Sequence, residues 1–540
     1  MRTRIPNKRG GRSAYTPLIV MNPGKGWNNL ISDNLIDDKE ASSLENIMYV
    51  ESGAPAKTYG FTEVGTGLTN APRGIGFYND TANSNRYLLT VDGTGLKYLN
   101  GSSWDSIAGA AFDAASQINM TQALGQMFIW DGESGGAQLA ALVLSRPGTM
   151  PKAKFSVFYN GYHVAAGVNG QLNRLYISVS TDAADFTNAA TTLHNATEVP
   201  GGTVFAGSGA NFVDINKNDG DKITGLAKFQ DALIVFKERS VFQLTFDATG
   251  TPVVAAVTKS YGCVGHRSMD NVDNDIFFLS RNGVYVLGNE PNYFNVIRTN
   301  ELSSRIHPTI ETINPSNFNK ATALFNQYIF YLAVPSGGVS ANNAVITYDR
   351  RFQAFSWLTH MTPECFTVFT DATNTDIVYF TDANSAKVYK FNSNYDANGA
   401  AISAQWTSKA FDMGDFSRYK RFIFVDILFR QLIGTINIDI YGDNGAISKS
   451  TSISSSNIGG MGIYALGGED WLGGTVEEGS TGIASASTNI PYRIRLSTKS
   501  RSIKIKVSNG RVNETFVILG LKIYTRPYSD FVFPSAQKLN

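Results

Sequence analysis

Strings of alternating or continuous β-branched and aromatic residues recur along the first three quarters of the chain. Each is followed by a short polar turn and a second apolar string. The units begin at Asn85 (NRYLLTVDGTGLKYLNGSSW), Leu124 (LGQMFIWDGESGGAQLAAL), Phe155 (FSVFYNGYHVAAG), Leu226 (LAKFQDALIVFKERSVFQLTF), Val272 (VDNDIFFLSRNGVYVLG), Ala323 (ALFNQYIFYLAVP) and Thr375 (TDIVYFTDANSAKVYKFN). This pattern predicts strands, and the turns carry Asp-Gly, Asn-Gly or Asp-Ala-Asn, residues that tolerate the positive φ of tight hairpins. Successive units start roughly 30 to 70 residues apart, near the spacing of propeller blades. One such unit cannot bury both its faces, whereas six or seven stacked around an axis bury them against each other and leave only short edges. The sequence therefore predicts an all-β chain with a β-propeller of six or seven blades over residues 70–400, a pair of β-sandwiches being the alternative.

After Ala400 the pattern changes. Ile436, Ile438 and Ile440, and again Ile503, Ile505 and Val507, alternate with polar or charged residues, as one-sided burial of antiparallel strands requires. Residues 401–540 are expected to form an appended β-sandwich. It is interrupted by a Gly-rich excursion near Gly459 to Gly482 that holds Met461, Tyr464, Leu466, Trp471 and Leu472. That excursion either folds back over its own sandwich or meets a neighbouring subunit, with Trp471 as the anchor in the second case. Residues 1–69 are expected to be an extended arm and lead-in. Its first 25 residues hold Arg2, Arg4, Lys8, Arg9, Arg12 and Lys25 and no acidic residue. Pro6, Pro17 and Pro23 forbid regular helix there. The expectation is that the segment from Met1 to about Asn29 orders only on a partner.

Composition narrows the class. In 540 residues, Lys plus Arg is 46 and Asp plus Glu is 45, so net charge argues neither for nor against a polyanionic partner. Charged residues are only 17%, aromatics reach 12% and Gly counts 51, a balance that suits short strands and tight turns more than helices. Cys263 and Cys365 are too few for a disulfide framework or a four-thiolate zinc site. No signal peptide is read at the start, and the most apolar window, RFIFVDILFRQLIG, is broken by Asp426 and Arg430. A soluble chain that needs no disulfides is expected.

The densest chemistry lies in SYGCVGHRSMDNVDNDIFFLSRNGVYVL, where Cys263, His266, Arg267, Asp270, Asp273 and Asp275 precede an apolar run. Asp273 and Asp275 share a face of an extended chain, but glycosidase carboxylates face each other across a pocket. Cys263 and His266 lie on a Gly-rich segment that fixes no mutual geometry, and a nucleophilic cysteine needs a third, orienting group. The simpler reading is turn residues leading into a buried strand. His163, His194, His266, His307 and His360 are scattered and form no metal-ligand spacing. DINKNDGDKITG places Asp214, Asn216 and Asn218 at the first, third and fifth positions of a calcium loop. It has Asp219 where Gly is wanted and Gly225 where Glu is wanted, so it is a weak metal candidate. No phosphate loop or dinucleotide fingerprint is found. No catalytic residue, metal or cofactor is expected.

The stretches DALIVFKERSVFQL, GCVGHRSM followed by DNDIFFLSRNGVYVL, and NAVITYDRRFQAFSWL resemble bacteriophage virion proteins of the tail nozzle or hub type, which are similar to the packaged-DNA stabilisation proteins of short-tailed phages. NPGKGWNNLISDNLIDDKEASSLENIMY is similar to their opening segment. The resemblance covers most of residues 20–425, through loose motifs. It implies a structural, non-enzymatic virion protein with a β-propeller and an appended β-domain. The implied assembly is a homo-oligomeric ring, a hexamer, that continues the DNA channel, contacts other tail or adaptor proteins and helps retain or release the genome without sequence specificity. The implied location is the virion tail, after assembly in the host cytoplasm. In such a channel, isolated rather than clustered Lys and Arg would let a polyanion slide. The alternative is a receptor- or carbohydrate-binding tail propeller, with glycan cleavage as a further possibility, in which Trp104, Trp130, Trp357 and Trp471 stack on sugar rings.

Overall fold

The computed structural model describes residues 16–179, 182–187, 212–217, 219–246, 252–289, 297–370, 375–455 and 490–527. They form two compact units, one of residues 59–400 and one that joins the N-terminal 58 residues to those after 400. Arg2, Arg4, Lys8, Arg9, Arg12 and Trp471, with the rest of the Gly-rich excursion, lie outside the described residues.

Residues 59–400 are a β-propeller. Seven antiparallel sheets follow one another, here called blades 1 to 7, at residues 75–107, 119–145, 155–214, 223–258, 269–301, 322–358 and 363–391. Each of the seven apolar units in the sequence falls in its own blade. Blades 1 to 6 each take four strands in chain order. Blade 7 takes three, and its fourth is Phe61–Glu63, which pairs Phe61 with Phe391, Thr62 with Lys390 and Glu63 with Tyr389. The propeller therefore begins before residue 70, because a strand from the start of the unit completes its last blade.

Closure is visible in the packing. The first strand of every blade lies against the first strand of the next, and Pro363–Thr370 of blade 7 returns to Ile75–Asp80 of blade 1. Apolar side chains fill each gap between blades. Leu89, Val91 and Ile118 meet Ile129 and Leu139 between blades 1 and 2. Leu175 and Val213 meet Leu233 and Val235 between blades 3 and 4, and Ile75 and Trp104 meet Tyr379 and Val388 between blades 7 and 1. Such inter-blade stacking lets short strands share a core that none could enclose alone.

The hairpin of blade 3 shows the turn chemistry most simply. Tyr159 pairs with Tyr162 around Asn160 (φ 50) and Gly161 (φ 82), the two positive φ values of a type I′ turn.

The second unit is a β-sandwich. One sheet is built from Thr16–Met21, Ile47–Tyr49, Pro55–Lys57, Lys420–Ile433, Ile490–Ser500 and Thr515–Pro527. The other holds Ala41–Glu45, Ala404–Ser408, Thr435–Gly442, Ile447–Ser454 and Ile503–Asn509. Ile436, Ile438, Ile440, Ile503, Ile505 and Val507 are all 0% exposed, so the alternation read in the sequence is an inward-facing row.

The N-terminal segment differs from the sequence expectation. Residues 16–58 are structural parts of the sandwich, not an arm awaiting a partner. Thr16–Met21 pairs in register with the last strand, from Thr16 opposite Thr525 to Met21 opposite Gly520. Pro17 is accommodated because this strand has only one neighbour and needs no second ladder. Lys57 is fully buried in the same unit, donating from Nζ to Asn509 Oδ1 at 2.7 Å and to the Arg511 carbonyl at 2.8 Å. Burial lowers its ammonium pKa to about 8.

Candidate functional site

The stretch with the densest chemistry sits at the propeller axis. After Cys263 the chain makes a 3-10 turn, His266–Ser268, before the first strand of blade 5. Arg267 leaves that turn and crosses the ring. Its Nε donates to Asn119 Oδ1 of blade 2 at 3.1 Å. Its Nη2 donates to the Arg73 carbonyl at 2.6 Å, just ahead of blade 1, and to the Ile118 carbonyl. Nη1 lies 3.6 Å from Glu364 Oε1 on blade 7. Blade 5 is not a neighbour of blades 1, 2 or 7, so one side chain ties opposite sides of the ring. Its side chain is 6% exposed. Burial pushes the Glu364 carboxyl up, and Arg267, Lys320 and Arg73 oppose that shift. The axis is also bridged by Gln117, whose Nε2 donates to the Asn319 carbonyl at 3.2 Å.

Beside this strap lies a cavity of about 610 Å³ whose wall includes Asn119, Lys154, Lys222, His266, Arg267 and Lys320. Its charges are mixed and partly spent: Glu238 accepts from Arg281 at 2.9 Å and lies 3.5 Å from Lys222.

Cys263 and His266 are not a pair. The Cys263 thiol is fully buried and faces the Gly265 carbonyl at 3.2 Å and Ser268 Oγ at 3.3 Å. Burial pushes it up to about 11. The half-buried His266 ring stacks on Phe155 at 4.7 Å, and its Nδ1 accepts from the Leu226 amide at 3.4 Å. Burial, with Arg267 beside it, holds it at about 4. A thiol so hard to ionise, turned away from a neutral imidazole, lacks the arrangement of an activated nucleophile.

The carboxylates are dispersed as well. Asp270 accepts from the Phe325 amide at 2.6 Å and fastens blade 5 to blade 6, and burial raises it to about 6. Asp273 occupies a hairpin turn at φ 53 and pairs with Arg350. Asp275 opens the next strand.

In the calcium-like loop, both oxygens of buried Asp214 accept from Arg174, at 2.7 and 3.0 Å. Asn216 Nδ2 donates to Asp219, which also holds buried Lys237 at 2.5 Å. Asn218 lies outside the described residues. Asp214 and Asp219 thus face cations of the protein and Asp221 accepts from the Arg239 amide and the Ser240 hydroxyl, so the carboxylates of the weak calcium candidate already have protein partners. Among the described residues no group of three or more His, Cys, Asp or Glu is placed to hold a metal, and no helix is long and apolar enough to cross a membrane.

Of the tryptophans considered for sugar stacking, Trp104 is 4% exposed, with Nε1 bonded to the Val64 carbonyl, and Trp130 is 0% exposed. Trp357 is partly buried and Trp471 is outside the described residues. Two of the four are core residues, out of reach of a sugar ring.

His163 is the most buried of the described histidines, with Nδ1 2.9 Å from the Ala183 carbonyl and Nε2 2.8 Å from Ser156 Oγ. Burial lowers it from 6.5 to about 4. As pH falls through 6.5 the unfolded chain takes up this proton first. The stability tied to His163 is therefore complete above pH 6.5 and drains away toward pH 4, by about 3 kcal/mol at 1.36 kcal/mol per unit. Asp270, raised from 3.8 to about 6, works with the opposite sign over nearly the same window, while His266, held at about 4, adds a loss of the same sign as His163. A His163→Gln variant should show a smaller acid loss than the parent, by about 3 kcal/mol between pH 6.5 and 4 in urea titrations. Parallel curves would mean that His163 titrates alike in the folded and unfolded chain.

No protein-family model matches the chain, and no curated protein matches it. Solved structures similar to it include BBS1N in complex with ARL6DN (10% identity, TM-score 0.37, 63% of this chain and 99% of that one). The WD40 domain of Neurospora crassa Pan2 is another (11%, 0.32, 62% and 95%), as is the AfRom2 CNH domain (6%, 0.36, 62% and 98%).

Proposed function

We propose that this chain is a structural protein of a bacteriophage tail, a subunit of the nozzle or hub ring that continues the DNA channel and helps hold the genome. The observation that carries this reading is the use made of its most reactive-looking segment: His266, Arg267 and Asp270 join blades across and around the axis, and the Cys263 thiol is buried against Gly265 and Ser268 of its own turn. A chain whose histidine, arginine and buried carboxylate in this segment are engaged in fastening a closed ring of strands is suited to bearing load. The quoted nozzle-like stretches support the same reading, because two of them, DALIVFKERSVFQL and GCVGHRSM, build blade 4 and the Arg267 strap. With Arg267 across the propeller's own axis, the channel of the proposed assembly lies between subunits.

Virions assembled without this chain should package DNA and then lose it, seen as nuclease-sensitive genome in purified particles, and supplying the chain should restore protection. Particles that lack it yet keep a protected genome and infect normally would refute the reading.

A further inference from the structure

The overall charge of the chain is balanced, 46 basic residues against 45 acidic, but one face of the sandwich is not. In the sheet formed by Lys420–Ile433, Ile490–Ser500 and Thr515–Pro527, Lys420–Ile433 runs between the other two strands. Register sets Arg421 between Lys499 and Arg526, Phe424 between Arg495 and Tyr524, and Asp426 between Arg493 and Lys522. Arg421, Arg493, Arg495, Lys499 and Arg526 are exposed and Lys522 is half-buried, while the residues between them, such as Val425, Ile494 and Ile523, are buried. Three successive outward rungs thus hold six cations and a single carboxylate, in a field roughly 10 Å wide and 14 Å long from standard strand and residue spacings.

The aromatic rings on this face support the cations. The Arg493 guanidinium binds Asp426 through two bonds of 2.7 and 2.8 Å and lies 5.1 Å from the Phe424 ring and 5.4 Å from the Tyr524 ring. Lys522 sits 5.0 Å from Tyr524. At one end, Arg501 and Lys499 lie 4.9 and 5.4 Å from Tyr419. Rings covered by cations are poorly available for stacking on bases, while the cations they support remain in contact with water and are partly ordered in advance.

We infer that this face binds the phosphate backbone of duplex DNA without reading its sequence. Like charges gathered on one plane repel one another, and a polyanion relieves that repulsion while releasing its own counterions. The cations spread across three strands, a width that phosphates from both strands of a duplex can fill. A single extended acidic peptide would cover one row. Among the described residues no helix or ribbon protrudes from the sheet's rungs to enter a groove, so none of them reaches base edges. This deepens the proposed function and rests on it for the source of the DNA. A clustered field would hold the duplex more than it would let it slide, which suits genome retention.

The test uses the full chain and a random-sequence 30-base-pair duplex, with anisotropy measured at several salt concentrations between about 50 and 200 mM. Binding should weaken linearly in log–log form, with a slope near −0.9 per phosphate neutralised, and a second, unrelated duplex should bind equally. The Arg421→Glu/Arg495→Glu variant should lose at least tenfold in affinity and flatten the slope by about 1.8, with its thermal midpoint unchanged because both side chains are exposed. Unchanged DNA binding by the variant would overturn the inference. So would a parent chain that ignores DNA but binds vesicles rich in phosphatidylserine. Imaging both proteins for ring formation separates the two ideas: rings without DNA binding defeat this inference alone, whereas sequence-independent DNA binding by a chain that never forms rings defeats the tail-ring reading.

Discussion

Replacing Arg267 with Met should lower the unfolding free energy of the propeller by about 3–5 kcal/mol, the range for removing one partner of a buried charged contact. Met keeps much of the stem volume, so the loss reports the guanidinium. Asn119 Oδ1 and the Ile118 carbonyl would lose this donor, the Arg73 carbonyl would keep only the Ile118 amide at 3.2 Å, and Glu364 would stay on the axis without the guanidinium 3.6 Å from it. The Glu364 carboxyl, already pushed up by burial, should rise further. A raised carboxylate pKa favours the folded state at low pH and loses that advantage as pH rises through the folded value. The defect should therefore be worst near neutrality and shrink on acidification. Adding Glu364→Gln should recover part of the loss, since the orphaned charge goes with it. Urea curves at pH 5 and pH 7.5 for both single variants and the double would show this. A loss under 1 kcal/mol for Arg267→Met, equal at both pH values, would mean that the ring does not depend on its strap.

The second large effect concerns closure. Phe61 belongs to the short strand that completes blade 7, and its ring packs against Phe380 at 5.1 Å, Tyr389 at 4.7 Å and His360 at 5.9 Å. It is 6% exposed. Phe61→Ala should cost about 3–5 kcal/mol as a large-to-small core change. Because it loosens the junction where the two ends of the ring meet, amide exchange should rise first in Val388–Phe391. A truncation of the same size elsewhere, Phe236→Ala in blade 4, should destabilise without that local signature. If exchange in blade 7 stayed at parent levels while stability fell, the Phe61–Glu63 strand would not be the clasp.

Much of this architecture is legible in the sequence, for particular reasons. All seven strand pairs announce themselves through β-branched and aromatic strings, since a blade buries both faces and leaves few polar positions. The sandwich rows Ile436–Ile440 and Ile503–Val507 announce themselves through strict alternation.

Other features are hidden. Phe61–Glu63 carries no signal because three residues cannot show a period and its partner lies more than 300 positions away. One hairpin turn is also silent: Gln327 adopts positive φ, and neither it nor Tyr328 beside it is the Asn, Asp or Gly that usually marks such a turn. The strand Thr16–Met21 is masked by prolines and by a basic flank that resembles a tail. The role of Arg267 depends on what lies across the ring, a distance in space that no local spacing encodes. The cationic face is missed for a related reason. Its six positive residues come from three strands far apart in the chain, and an overall charge near zero conceals their meeting.

The central claim, that the chain is a ring-forming component of a phage tail, is tested most directly by imaging. Electron microscopy of the purified, assembled protein, classified without imposed symmetry, should show a closed ring of six copies around an open channel wide enough for duplex DNA, with each propeller's own axis filled. Monomers or trimers with no central channel, together with binding to or cleavage of host polysaccharide, would contradict it and return the chain to the class of receptor-binding propellers.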